Sequence, residues 1–447
     1  MKKNALYLLM LICWLPLTAQ NGVNSPFSQY GLMLSDLPTN MPMAYSMGGV
    51  VYTRMATNYV NPFNPASYAA IQPESFIFDI SLNFTNSRMT SGEITDRDFD
   101  GSLASIAIAF PIFNWWKVSA GLLPYSNTNY QTVLTTPVTG TSQNVRTVYD
   151  GMGGISRIYL GNAFNIIGDA TDYTKPMLTA GFNVNYLYGY LQQGITYDFV
   201  NSDTSYYKDT RRQKETHVNN LTFDVGILYR HPLNERYSLT AALTCNIPNT
   251  LHIDNKALVY TYTTQAAQEY LLDTIFPARG ASDSYESTLE QPFSIGIGLS
   301  LERNQLWLVS ADFTYATSNC MKYNEGSSHP IFGQNSLRSD ATYRIAIGGG
   351  WLGNKNADSY FGRMGYTCGG YYQAGKLALD LANGSFSLDQ WGIGCGITLP
   401  MRRGRSQLML SCSYSSFGTP DALRAEYLTF GLTLSSNERW FVKRKYN

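Results

Sequence analysis

The chain has 447 residues, 14% of them charged and 14% aromatic, and its 32 Lys+Arg balance 32 Asp+Glu. A neutral chain without a basic stripe gives nucleic acid nothing to bind. A mean hydropathy of -0.18, with no long apolar run after residue 19, leaves strands as the only means of crossing a membrane.

The chain opens with Met1-Lys2-Lys3, an apolar stretch from Ala5 to Leu17, and the small-residue site Leu17-Thr18-Ala19 before Gln20. The apolar core is shorter than the roughly 20 residues a transmembrane helix needs, so 1–19 reads as a secretory signal. Cys13 lies within it, behind Ile12, which is bulkier than lipoprotein processing favours. Residues 20–74 do not alternate and are rich in Asn, Pro, Met and Gly, which predicts a plug or arm separate from any wall.

Alternation starts abruptly at Phe76. Phe76, Phe78, Ile80, Leu82 and Phe84 share one face, with Asp79, Ser81 and Asn83 on the other. Comparable segments follow near 102–111, 116–126, 146–160, 177–200, 212–230, 236–262, 284–301, 305–316, 339–351, 358–374, 385–399, 405–417 and 425–435. The reading is all-β, a transmembrane antiparallel barrel of about fourteen strands over 75–435. Tyr at 33 and Gly at 38 suit aromatic girdles and a closely packed lumen. Short connections at Asn114-Trp115, His231–Glu235, Glu302–Asn304, Gly353–Ala357 and Arg402–Gly404 alternate with long ones at 85–101, 127–145, 263–283 and 317–338, which places the long ones outside. The connection 161–176 is too long for a simple turn and reads as an ordered excursion or a slip of strand boundaries. Thr264–Ile275 is expected as one external helix. Leu428, Phe430, Leu432 and Leu434 alternate with small residues and supply a closing strand. A tail, 436–447, carries Trp440 and Phe441 beside Lys443, Arg444 and Lys445, a composition suited to a membrane interface.

Outside the signal stand Cys245, Cys320, Cys368, Cys395 and Cys412, widely spaced and without a CxxC pair, read as apolar fillers. His217, His231, His252 and His329 are the only histidines, and alternation puts His217 on the lipid side and His252 on the lumen side unless Pro248 resets the parity. No nucleophile motif, HExxH, phosphate loop or metal-ligand cluster appears, so no catalysis, metal or cofactor is expected.

Within the plug stands Gly48-Gly49-Val50, then Arg54, then Asn58–Ala69 with Asn64-Pro65-Ala66 directly before the first strand. This resembles FadL-type outer-membrane transporters of long-chain fatty acids and other hydrophobic compounds, whose N-terminal hatch carries an Asn-Pro-Ala motif just before the first of fourteen strands. Asn24–Gly31 looks like the start of a FadL-related branch. Read from the residues alone, Asn64-Pro65 is an Asx-Pro turn that ends the plug.

The resemblance implies a monomeric barrel in the outer membrane of a Gram-negative bacterium, among its lipids and lipopolysaccharide, passing a hydrophobic small molecule from external loops through the lumen to a lateral exit. Burial at roughly 0.8 kcal/mol per methylene would hold a long acyl chain by on the order of 10 kcal/mol. Candidate capture residues are Tyr270, Leu271, Leu272, Ile275 and Phe276, with Ile331 and Phe332 on the next loop; the alternative is that these pack the loops. Arg54 and Arg344 are candidates for a carboxylate head group, or else pair with the lumen acids Asp79, Asp224 and Asp312. The rival function is a non-transporting accessory subunit of an outer-membrane secretion or assembly complex, binding other envelope proteins, as in the FadL-like shuttle of type IX secretion. Lumen glycines at 181, 189, 226, 296, 298 and 394 leave room for a ligand channel or for a tightly packed plug.

Overall fold

The computed structural model describes Ser28 and residues 41–439 apart from 56, 139–143, 170–171, 201–207, 266–267, 277–283, 304–305, 324–335, 340, 355, 376–377, 382–383, 388, 402–405 and 420–422. The expected signal peptide and residues 440–447 of the expected tail lie outside the described residues.

The wall begins with β1 (Ser75–Ser91), β2 (Ile94–Phe113), and β3 (Trp116–Asn127) with its extension β4 (Tyr130–Pro137). The longest strands follow, β5 (Asn144–Ile167), β6 (Met177–Val200) and β7 (Asp209–Pro232), each of 24 residues. β8 (Tyr237–Ile247) and β9 (Thr250–Gln265) share one path, β10 (Gln268–Phe276) folds back on β9, and β11 (Ser284–Glu290) with β12 (Ser294–Arg303) returns. Then come β13 (Trp307–Ala316) with β14 (Asn319–Tyr323), β15 (Ser336–Ser339) with β16 (Thr342–Trp351), and β17 (Gly365–Ala374). A small hairpin, β18 (Ala378–Leu381) and β19 (Gly384–Ser387), precedes β20 (Gln390–Pro400), β21 (Gln407–Thr419) and β22 (Leu423–Arg439). β22 pairs with β1 from Ser75–Arg439 to Thr90–Arg424 and closes a fourteen-strand antiparallel barrel. Closure removes the open edge that a strand in lipid cannot leave unpaired.

The faces are inverted relative to a water-soluble protein. Phe182, Tyr186, Val225, Ile227, Leu299 and Ile347 stand exposed on the outside, while Asn183, Asn185, Thr244, Ser300 and Ser310 face inward and are buried. Only lipid satisfies such an exterior, so the barrel spans a membrane. Phe113, Trp115, Trp116 and Phe164 stack at the short-turn end with centroid spacings of 5.8–6.2 Å, an aromatic girdle at one interface.

Several connections differ from the sequence reading. The expected loop 85–101 is strand, with β1 and β2 paired up to Ser91–Ile94 around Gly92, whose φ is 58°. Polar residues there alternate on both faces, so no apolar stripe betrayed the strand. The expected helix in 264–275 is a β-hairpin arm, β10 pairing with β9 from Gln268–Gln265 onward; Thr261, Thr263 and Thr264 favour an extended chain, and β9 offers its edge. The 161–176 connection is partly strand, since β5 runs to Ile167. Within it, Tyr173 lies 3.8 Å from the Arg230 guanidinium and Arg230 Nη2 donates to the Asp172 carbonyl at 2.7 Å. His252 points outward, between the buried Leu251 and Ile253, because the break at Pro248 restarts the alternation.

One stretch of wall is incomplete. β2 and β3 pair only from Ile106–Leu122 to Phe113–Trp116. Beyond that, among the described residues, β2 pairs with β1 alone, and register shifts skip Ala104 on β2 and Tyr125 on β3. Pro124 stands at the break and has no N–H to give the ladder. Ser28 closes in from the N-terminal side, its hydroxyl donating to the Asn129 carbonyl and accepting the Asn129 N–H at 3.1 Å, while the Thr128 hydroxyl donates to the Ser28 carbonyl at 2.9 Å.

Because Leu243 stands at the middle of the lipid-facing side of β8, Leu243→Arg should lower barrel stability by about 2–4 kcal/mol. Urea unfolding in lipid vesicles, followed by heat-dependent gel mobility, measures this; an unchanged midpoint would contradict the assigned face.

Candidate functional site: the filled lumen

Residues 41–71 lie inside the barrel and are almost entirely buried. They form two tight knots. The first is a single helical turn, α1 (Pro42–Tyr45), begun by Pro42 and ended by Gly48 and Gly49 with φ of 62° and 82°. The second is a 3-10 turn, Pro65–Ala70, capped by Asn64, whose side-chain oxygen accepts the Ala66 N–H at 3.0 Å. Asn64 therefore makes the Asx turn expected of Asn-Pro, and it does one thing more: its Nδ2 donates to the Tyr52 carbonyl at 2.6 Å, tying the two knots together. Asn61 reinforces the tie, donating to the Val51 and Arg54 carbonyls at 2.8 and 3.1 Å.

An irregular segment in a bore without secondary-structure partners leaves many backbone groups to satisfy. Its own turns satisfy some of them, the Gly49 N–H donating to the Ala44 carbonyl at 2.8 Å, and the wall supplies partners for others. Asp312 on β13 accepts the Val51 and Tyr52 N–H groups at 2.6 and 2.9 Å. Asp79 on β1 accepts the Val60 N–H at 2.5 Å. Arg344 on β16 donates to the Gly49 carbonyl at 2.8 Å and lies 5.1 Å from the Tyr371 ring. Asn183 on β6 donates to the Pro62 carbonyl at 3.0 Å and accepts the Tyr68 hydroxyl at 3.1 Å. Burial pushes the Tyr45, Tyr52 and Tyr68 phenols up, so each remains neutral, and Tyr45 donates to Asn83 at 2.9 Å.

Small wall residues allow this contact. A Cβ added at Gly394 would stand 1.9 Å from the Tyr45 carbonyl oxygen, and one at Gly348 2.2 Å from that of Met47. Gly181 likewise meets the Pro65 backbone, while Gly226, Gly296 and Gly298 meet the side chains of Asn64, Tyr52 and Thr53. Of the two uses left open for the lumen glycines, close packing of an inner segment is the one observed at these positions. Gly189 is different: its φ is 142° and it approaches the β5 backbone. A cavity between segment and wall, lined by Met41, Met43, Val60 and Met409, holds about 10 Å³, which admits no solute.

The other candidates separate into two groups. Among the described residues Arg54 makes no ion pair with a lumen acid, although its charge bears on Asp312; its Nη1 donates to the Met43 carbonyl at 2.5 Å and its guanidinium lies 5.4 Å from the Tyr59 ring. Arg344 likewise serves a backbone carbonyl. Of the three lumen acids, Asp224 has an arginine partner, Arg157 at 3.9 Å, while Asp79 and Asp312 hold backbone. Both arginines are buried and closed to a ligand in this arrangement. Tyr270, Leu271, Leu272 and Ile275 are instead exposed on the β10 arm, far from the seal in sequence and in the fold. Phe276 ends that arm, and Ile331 and Phe332 lie outside the described residues. Sequence reasoning missed Gly348 and Gly369 as seats for the α1 turn, although the runs Gly348-Gly349-Gly350 and Gly369-Gly370 were there to signal close backbone approach. Above the seal, Ile155, Leu187, Leu191, Val218, Leu251, Ile253 and Leu289 form a second buried apolar cluster on contiguous strands.

The geometry makes the seal separable from the barrel. Asp312→Ala strands two buried N–H groups, at about 1–3 kcal/mol each, and should expose residues 41–54 to protease while the barrel remains heat-modifiable; Asp312→Asn, which keeps one acceptor, should do so less. Gly394→Val should act as Asp312→Ala does. Protease resistance equal to wild type in Asp312→Ala and Gly394→Val would contradict the seal.

Comparisons with known proteins place this architecture. The solved structures it resembles include a TodX monoaromatic hydrocarbon channel mutant (TM-score 0.54, 14% identity, 91% of this chain and 100% of that one). The Ralstonia pickettii toluene transporter TbuX matches at TM-score 0.53 and 13% identity over 91% of this chain and 99% of that one. The CymD monoaromatic hydrocarbon channel matches at TM-score 0.52 and 10% identity over 89% and 97%. At these identities the likeness is one of fold. No curated protein matches the chain in sequence. The sequence pattern of the BamG family matches residues 1–447, and the chain belongs to the BamG family.

Proposed function

We propose that the protein is an outer-membrane barrel that does not conduct, and that it serves as an accessory subunit of an outer-membrane assembly or secretion complex. The observation that carries this reading is the seal. Six wall-to-segment hydrogen bonds from Asp79, Asp312, Arg344 and Asn183 hold the inner segment. Leaving even three buried partners unsatisfied costs on the order of 3–9 kcal/mol. A solute bound at micromolar affinity has about 8 kcal/mol in all, so opening the bore would consume most of it. A partner surface is available at the long-loop end. A membrane strand needs about 9–11 residues, and β5, β6 and β7 have 24 each. More than half of each therefore stands clear of the membrane, as a polar sheet braced by Arg146–Asp198 at 3.9 Å and Arg211–Asp150 at 3.6 Å.

A second reading, passage of a hydrophobic small molecule such as a long-chain fatty acid, has its own support in the unpaired stretch between β2 and β3. On that reading the β10 side chains Tyr270, Leu271, Leu272 and Ile275 capture the solute, with Phe276, Ile331 and Phe332, and Asn64-Pro65-Ala66 gates it. Arg54 and Arg344 would have to exchange Met43 and Gly49 for a carboxylate.

Depletion of the protein from its own cells distinguishes the two. The accessory reading expects the heat-modifiable fraction of other outer-membrane barrels to fall several-fold while uptake of labelled fatty acid is unchanged. Lost uptake with normal levels of the other barrels would overturn it in favour of transport.

A further inference from the structure

Three thiols stand side by side on the lipid-facing wall. Cys368 on β17 lies directly opposite Cys395 on β20, and Cys395 directly opposite Cys412 on β21. All three are free, the first two exposed and the third half-buried. Their strand neighbours on the same face are Tyr366, Ile393, Ile397 and Leu410, all exposed, so the row lies within the apolar belt. Gly349 on β16 stands opposite Cys368 and leaves that flank open.

Sheet geometry sets which thiols meet. In an antiparallel sheet a residue turns its N–H and C=O toward one neighbouring strand, so Cys395 makes a hydrogen-bonded pair on one side, with Cα atoms about 5.5 Å apart, and a non-hydrogen-bonded pair on the other, at about 4.5 Å. Both separations fall within the roughly 4.4–6.8 Å that a disulfide spans. Cys368 and Cys412 are two strands apart, about 9.6 Å, and out of reach of each other.

We infer that this row is an oxidisable site in which Cys395 forms a disulfide with one neighbour at a time, and that the oxidant it takes is an organic hydroperoxide dissolved in the membrane. The face is closed to water-borne reagents, and an apolar peroxide partitions to it. One thiol sulfur attacks the terminal peroxide oxygen, the O–O bond breaks, and the alcohol leaves with the thiol proton, giving a sulfenic acid. The adjacent thiol sulfur displaces the sulfenic hydroxyl, which departs as water with the second proton. Two thiols thus give up two electrons and two protons to one hydroperoxide, yielding a disulfide, an alcohol and water. The remaining thiol is placed to attack the Cys395 disulfide and move the bond to the other pair.

The test is cumene hydroperoxide added to the full chain folded in phosphatidylcholine vesicles. After acid quenching, unfolding and N-ethylmaleimide blocking, an unreduced digest is read by mass spectrometry. Expected are Cys395–Cys368 or Cys395–Cys412 peptides with the third thiol alkylated, formed at least ten-fold faster than with water-soluble oxidised glutathione. Cys395→Ser should lose every cross-link within the row while keeping its heat-modifiable mobility. A Cys368–Cys412 cross-link, three fully alkylated thiols, separate oxidation of each to the sulfinic acid, or equal rates with oxidised glutathione would overturn the inference.

Discussion

The backbone of an irregular segment cannot be left unsatisfied in a bore from which water is excluded, and the rest of this molecule is arranged around that requirement. Residues 41–71 have little regular structure, and the N–H and C=O groups that their own turns leave over look to the wall. Asp312 and Asp79 accept N–H groups, Arg344 and Asn183 donate to carbonyls, glycines on β6, β16 and β20 let two backbones come within contact, and those on β7 and β12 make room for inner side chains. At these positions wall charge and wall glycine thus have one purpose. The apolar exterior follows from the same choice: with the polar residues committed inward, the outside suits only lipid.

The parts legible in the sequence were those with a strict period of two against lipid. Strand number, the closing strand and the inward acids followed from alternation, because a one-residue slip would put every apolar side chain on the wrong face. Where strands leave the membrane the strict alternation is lost and the signal vanishes; the β1–β2 hairpin beyond Phe84, polar on both faces, and the β10 arm, with Leu271 and Leu272 adjacent, were read as loop and helix for that reason. Alternation also gives the face of a residue but not its height in the barrel. Arg344 and Asp312 were correctly placed inward, and the charge of each bears on the other. Their partners are backbone groups, which carry no signature in sequence. Asn64-Pro65 was legible as a turn, whereas its bond to Tyr52 depended on a tertiary approach.

Seal and wall break are compatible features of one barrel. The seal fills the half nearer the short turns, while the β2–β3 ladder stops above Ile106 and Leu122, toward the long-loop end. The break neighbours the apolar cluster of Ile155, Leu187 and Leu251, to which Tyr125 of β3 also belongs. A wall break and an inner segment held by contacts that cost several kcal/mol to break can therefore coexist in one barrel. Fold alone does not decide between transport and an accessory role.

Native mass spectrometry of the protein extracted gently from its own outer membrane tests the central claim most directly, since it records bound proteins and bound small molecules together. The account predicts a stoichiometric complex with other envelope proteins and no apolar small molecule held by the barrel. A solitary barrel carrying a fatty acid or similar hydrophobic ligand would contradict it.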